Sequence, residues 1–214
     1  MKLRLTKLAI FLAALVPLGR LGWKALHDGL GANPIEVITH STGDWTLRLI
    51  LATLAITPLR RLTRQYWLIG VRRMIGLFAF FYGTLHFLTY IWLDKFFDFH
   101  EMLKDIAKRP FITVGFSAFV LMIPLAVTST AGWIRRLGGK NWLRLHRLIY
   151  LTGILGVVHY WWLVKADHRK PAEYAIALTI LLLYRIAIWI SESRKAEKRP
   201  APAVSPTPVE ATKA

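Results

Sequence analysis

The sequence contains no cysteine. That excludes disulfides, thiolate-held iron–sulfur clusters and haem attached through C-x-x-C-H. Acid is scarce as well: 12 Asp and Glu stand against 29 Lys and Arg, for a net charge of +17. Charge of either sign is missing from long stretches. Residues 74–93, 110–134 and 148–164 run for 20, 25 and 17 positions without Asp, Glu, Lys or Arg. A helix needs roughly 20 mostly apolar residues to cross about 30 Å of hydrocarbon, and buried helices of soluble proteins seldom stay uncharged for so long. There is no Gly-rich phosphate loop and no tandem repeat. No nucleotide-binding domain is therefore expected on this bundle.

What is present fits a lipid environment. The chain is 55% hydrophobic, with 9 Trp, 7 Tyr and 11 Phe. The apolar blocks predict an all-α, integral membrane bundle of about six transmembrane helices. The expected spans are residues 5–21, 45–59, 70–93, 111–128, 145–164 and 172–190. The first also resembles a signal peptide, but no clear A-x-A cleavage site follows and further spans come after, so a retained helix is expected. Trp45, Trp92, Trp133, Trp142, Trp161, Trp162 and Trp189 lie toward block ends, as an interfacial aromatic belt requires.

A net charge of +17 is compatible with nucleic-acid binding. The basic residues, however, cluster at the ends of apolar blocks, where they hold topology instead. No nucleic-acid partner is expected; membrane lipid is. With six spans, 18 Lys and Arg fall on the side of the termini and nine on the other. Both termini are accordingly expected on the cytoplasmic side of a multi-pass membrane protein. Residues 1–190 form the membrane domain. Residues 191–214 are charged, then rich in Pro, Ala and Thr, and are expected to be a disordered cytoplasmic tail.

Seven histidines remain to be explained. His27, His40, His100 and His168 fall in expected outer loops and read as solvated surface groups. His86 and His159 lie inside apolar spans, and His146 stands at the mouth of the fifth. An ionisable group at membrane depth is costly and needs a partner. For one histidine that partner is ordinarily a hydrogen bond to another helix. Two at matching depth point to metal ligation. His86 lies 16 residues after Gly70 and His159 lies 14 after Leu145, on spans that run in parallel. At about 1.5 Å per residue their heights differ by only a few ångströms. Two neutral imidazoles could hold one haem iron from opposite faces, leaving no open axial position, which suits electron transfer.

Arg72 and His146 form a second level about 20 Å lower. There His146 could ligate a second haem, with Arg72 or Arg73 pairing its propionates or covering its other face. Equally, both arginines could simply anchor the interface. His146 and His159 are 13 residues apart. At about 100° per residue they share a face only if the fifth span bends, which Gly153 and Gly156 could permit.

Several stretches carry a family resemblance. They are Gly31-Ala32-Asn33-Pro34, Thr57-Pro58-Leu59-Arg60, Arg72-Arg73-Met74-Ile75-Gly76-Leu77, Tyr82-Gly83-Thr84-Leu85-His86, Leu125-Ala126-Val127-Thr128-Ser129 and Trp142-Leu143-Arg144-Leu145-His146-Arg147-Leu148-Ile149-Tyr150. Together they span about residues 5–190, and the chain resembles the MsrQ (YedZ) family, a branch of the ferric-reductase-like transmembrane domain. The resemblance implies a haem b subunit, with one haem or two, and FMN associated with it. His86, His146 and His159 match the family's intramembrane histidines, and Arg72 stands where relatives with two bis-histidine haems have a fourth. It further implies a heterodimer with a periplasmic molybdopterin enzyme that reduces methionine sulfoxide in oxidised proteins. Electrons would come from the quinone pool or a cytosolic flavin reductase.

The expected function is therefore outward electron transfer in a protein-repair system, with sulfoxide chemistry in the partner and no catalytic residue assigned here. The competing readings are a stand-alone transmembrane ferric or quinone reductase, and a transporter or structural bundle whose histidines are helix contacts.

Overall fold

The computed structural model describes residues 2–197, and every regular element among them is helical. In chain order these are α1 (Lys2–Leu26), α2 (Pro34–Thr63), α3 (Leu68–Leu88), a π-helical turn (Thr89–Asp94), α4 (Phe99–Lys108), α5 (Pro110–Val127), α6 (Ala131–His146), α7 (Leu148–Leu163) and α8 (Arg169–Glu197). Helix ends follow local chemistry. Asn33 caps α2 by accepting the Glu36 amide at 3.3 Å, with Pro34 in the first turn, where a missing N–H costs nothing. Pro110 opens α5 in the same way. Thr130 caps α6, and Gly138, at φ 72°, kinks it.

Among the described residues, four stretches are long and apolar enough to cross a membrane: Leu3–Leu26, Leu68–Asp94, Pro110–Val127 and Arg169–Lys195. The first and last are barely covered by the rest of the bundle. Leu5, Leu8 and Leu12 of α1, and Ile176, Ile180 and Leu183 of α8, stand exposed. Apolar surface on that scale is untenable in water, and it faces lipid in this membrane protein.

α2 and α7 complete the bundle without meeting those criteria. α2 carries Glu36, Asp44 and Arg48 in its first half, and α7 has 16 residues. The tightest pairings are α2 on α3 and α5 on α7, and lesser contacts join α3 to α5 and α2 to α7. The four helices thus enclose a common space. Its floor is the core, where Ile50, Leu54, Ala79 and Tyr82 are all but inaccessible.

The proline inside α2 is answered from another helix. Pro58 has no N–H to give the Leu54 carbonyl one turn earlier. Arg185 of α8 donates a hydrogen bond to that carbonyl instead, while also bonding Leu181 O at 2.8 Å and lying over the Tyr150 ring. Elsewhere the fully buried Tyr82 hydroxyl donates to Ala14 O at 2.7 Å, tying α3 to α1. An unpartnered carbonyl in hydrocarbon is expensive, and the Arg185 guanidinium removes the expense at Leu54.

The structure departs from the expected spans in three places. α2 begins at Pro34, so the second long helix is much longer than residues 45–59. The expected third and fourth loops contain α4 and α6. Residues 191–197 of the expected tail continue α8, and the remainder lies outside the described residues.

Candidate functional site

The space between α2, α3, α5 and α7 is a cavity of about 650 Å³. That is the size range of a pocket for a small molecule or cofactor. His86 of α3 and His159 of α7 both line it, their ring centroids 6.1 Å apart and their planes at 78°. α3 packs chiefly on α2 and α7 chiefly on α5, so each histidine reaches the cavity from its own side.

Each imidazole is oriented by a backbone carbonyl. His86 Nδ1 lies 3.0 Å from Thr39 O, and His159 Nδ1 lies 2.7 Å from Phe111 O. A carbonyl oxygen only accepts, so in both rings Nδ1 carries the proton. In the neutral ring, Nε2 is then left with its lone pair free, the form in which histidine binds a metal.

Both seats share one construction. Thr39 and Phe111 are each followed, four residues on, by a glycine: Gly43 in α2 and Gly115 in α5. A Cβ on Gly43 would lie 3.1 Å from His86 Nδ1 and Cε1, and one on Gly115 would lie 2.5 Å from His159 Nδ1. The rings occupy the space a side chain would fill. Neither glycine was visible as a site residue in the sequence. Their signal is the spacing from carbonyl to glycine, which gains meaning only once the facing helix is known.

Two imidazoles at this separation fit one metal centre. A metal about 2.0 Å from Nε2 lies roughly 3 Å from the ring centroid, so two such ligands have centroids about 6 Å apart. Among the described residues no group of three or more His, Cys, Asp or Glu side chains forms a metal cluster. The remaining ligands would have to come with the metal, as they do when a macrocycle carries it. The cavity wall suits such a group: Phe87, Phe111, Phe116, Phe119 and Met122 supply apolar faces. Polar groups also line it, among them His40, Asp44, Arg48, Arg109 and Lys170. Arg48 and Asp44 are paired at 3.0 Å and share Tyr174. His40, expected in a loop, lies on α2 and lines the cavity.

The other expected site residues lie elsewhere. His146, Arg72 and Arg73 do not line this cavity. His146 ends α6, and its ring stacks on Trp142 with centroids 3.9 Å apart. Its Nε2 lies 3.0 Å from Thr128 Oγ1, whose own hydrogen goes to Pro124 O. Nε2 must therefore be the donor to Thr128. Helix hydrogen bonding breaks at Arg147, so His146 and His159 belong to different helices. His27 and His168 stack on Trp23 and Trp161, away from the cavity.

Fold and site together define a helical membrane protein with two metal-competent imidazoles facing one internal cavity. Residues 42–157 match the family described as ferric reductase like transmembrane component. Similar proteins include one from Herminiimonas arsenicoxydans, 58% identical over 90% of this chain and 89% of its own length. One from Ralstonia nicotianae is 56% identical over 86% of both chains, and one from Xanthomonas campestris is 50% identical over 92% of both. Each of the three is named as the heme-binding subunit MsrQ of protein-methionine-sulfoxide reductase. No solved structure matches. The chain belongs to the MsrQ family, within the ferric-reductase-like transmembrane proteins.

Proposed function

We propose that this protein is the haem-binding membrane subunit of a methionine sulfoxide reductase system, holding haem b between His86 and His159. The observation that carries the reading is the pair itself: two rings across a 650 Å³ cavity, each with Nδ1 bonded to a carbonyl and Nε2 left to ligate. Haem held by the two histidines would supply one-electron redox chemistry. The residues of this chain orient, insulate and neutralise. Thr39 and Phe111 fix the imidazoles. The phenylalanines of α3 and α5 exclude water. Arg48, Arg109 and Lys170 are the cationic groups on the cavity wall that propionates could meet.

The membrane arrangement in this reading has six spans, α1, α2, α3, α5, α7 and α8, with both termini cytoplasmic in the bacterial inner membrane. The histidine pair then lies in the periplasmic half, because Thr39 is near the start of α2 and His86 near the end of α3. Electrons from the quinone pool or a cytosolic flavin reductase would leave toward a periplasmic molybdopterin partner. Support for the donor, the partner and FMN is the family resemblance, and no residue is assigned to FMN. A second haem would need His146 to release Thr128 and leave Trp142, with Arg72 in place of another imidazole.

A reduced-minus-oxidised spectrum of the purified protein tests the reading. Haem b bands are expected, lost or converted in His86→Ala and His159→Ala. No bands in the intact protein, or unchanged bands in both variants, would overturn it. The haem-to-protein ratio, one against two, decides the second site. Co-purification with a molybdenum protein tests the partner.

A further inference from the structure

We propose that Gly43 and Gly115 are positioning residues for the two axial histidines, fixing the tautomer and the basicity of each ligand. The proposal rests on the haem reading above. It starts from a repeated piece of geometry. In α2 and again in α5, a histidine from the facing helix sends its Nδ1–H to a helix carbonyl, and its ring lies where the Cβ of the residue four positions on would be.

A helix carbonyl is ordinarily hard to reach from the side. It points along the axis toward the N–H of residue i+4, and that residue's side chain shields it. Removing the side chain at i+4 opens the approach. Gly43 opens Thr39 O to His86, and Gly115 opens Phe111 O to His159. Glycine inside a helix costs stability relative to alanine, so the position calls for a reason. The reason here is the approach distance. Gly76 gives the contrast: a Cβ there would meet Thr53 at 3.6 Å, a normal contact, while at Gly153 and Gly156 it would meet only the methyl ends of Leu178 and Leu47, at 3.3 Å.

The hydrogen bond has a chemical consequence. Donation from Nδ1–H to a carbonyl places electron density on the ring and makes Nε2 a stronger ligand. It also removes the alternative tautomer, in which Nε2 carries the proton and cannot ligate. Both ligands are therefore prepared before any haem arrives. The two seats differ in tightness. A Cβ at position 115 would sit 2.5 Å from Nδ1, 2.7 Å from Cε1 and 3.0 Å from Cγ of His159, whereas at position 43 the nearest ring atoms of His86 are at 3.1 Å. No rotation of His159 within its seat relieves three such contacts. His86 need give only a few tenths of an ångström.

A graded response to alanine follows. Gly115→Ala should expel the His159 ring from its carbonyl and weaken haem retention by about 10–100-fold, the usual effect of losing an outer partner of a metal ligand. Haem that remains should lose the spectrum of two imidazole ligands. Gly43→Ala should keep both ligands but lengthen the His86 bond to Thr39 and raise the midpoint potential, because a less basic ligand favours the oxidised iron less. Gly76→Ala serves as the control for an added helix methyl. The readouts are haem content, the low-temperature or paramagnetic resonance signature of axial ligation, and a potentiometric titration of purified full-length protein. If Gly115→Ala does not accumulate, Gly43→Ala carries the test alone. Wild-type ligation and a potential indistinguishable from Gly76→Ala in the variants would overturn the role of the glycines while leaving the haem reading intact. Absence of haem from the unmodified protein would remove both.

Discussion

The clearest quantitative test of the fold is the coupling between Pro58 in α2 and Arg185 in α8. Pro58 deprives the Leu54 carbonyl of its helix partner, and the Arg185 guanidinium supplies a replacement from another helix. Arg185→Leu should therefore destabilise the bundle by leaving a buried acceptor unpaired, at about 1–3 kcal/mol. That figure alone would mislead. An arginine within a span carries its own insertion cost, about 2.5–3.5 kcal/mol at the helix centre, which leucine removes. Interhelical hydrogen bonds in membranes also average only about 0.6 kcal/mol, because the unfolded chain finds other partners. A double-mutant cycle separates these effects. In Pro58→Ala the new N–H satisfies Leu54 within α2, so Arg185 loses its task there but keeps its insertion cost. Arg185→Leu should thus cost about 0.6–1.7 kcal/mol more in the wild-type background than in the Pro58→Ala background. Reversible unfolding of the four proteins in mixed detergent micelles measures the difference. Equal costs in the two backgrounds, within about 0.3 kcal/mol, would show that Arg185 does not serve the carbonyl Pro58 frees.

Three further outcomes are expected. His86→Ala and His159→Ala should each abolish the six-coordinate haem signature, while His146→Ala leaves the signature of that pair; loss of all haem in His146→Ala would refute the assignment to the cavity. Thr128→Val should leave the haem spectrum of that pair unchanged and lower thermal stability by about 1 kcal/mol, since it removes the acceptor for His146; a changed haem spectrum would tie His146 to the cofactor. Asp105, which pairs with Lys95 at 2.6 Å and Arg109 at 3.2 Å, anchors α4 beside the cavity mouth. Burial pushes its carboxyl up, but the Lys95 hydrogen bond and charge and the charge of Arg109 outweigh that and hold it below the ordinary range. A folded-state pKa below the unfolded one means the contribution is present above the unfolded value, about 3.9, and is lost as pH falls through the folded value. Protection of α4 from hydrogen exchange should therefore collapse below about pH 4 in the native protein and show no such step in Asp105→Asn.

Much of this was legible in the sequence, and the illegible parts have particular causes. The charge-free blocks mark α3, α5 and α7 because lipid tolerates no unpaired charge. His86 and His159 do meet, their ring centroids 6.1 Å apart, although the count from Leu145 crosses the break at Arg147 and α7 itself begins at Leu148. α2 was underestimated because Asp44 and Arg48 interrupt its apolar pattern, and only the fold shows them paired with each other and with Tyr174. α4 reads as a loop because its apolar face is short and its charges are many; Lys95 and Arg109, outside the helix, neutralise Asp105. The sequence places His146 on one span with His159, as ligand of a second, lower haem beside Arg72. The hydrogen-bond break at Arg147 puts it on α6, facing Thr128. For α2 the missing information was a partner distant in sequence, Tyr174; for α4 and His146 it was which neighbouring group the fold turns each side chain toward.

The arrangement of the seats has a consequence for assembly. α2 packs most closely with α3, and α5 with α7. The acceptor for the α3 histidine lies on α2, and the acceptor for the α7 histidine lies on α5. Each half of the site is thus complete within one tightly packed helix pair: histidine, carbonyl and glycine. The cavity falls between the pairs, where direct contact is weaker. A metal group ligated by both histidines would join two halves that are already formed, rather than induce either. Its binding energy would then go to the relation between the pairs, by the same linkage through which any ligand of the folded state stabilises it. The tautomers, being set inside each pair, would cost nothing further at that step.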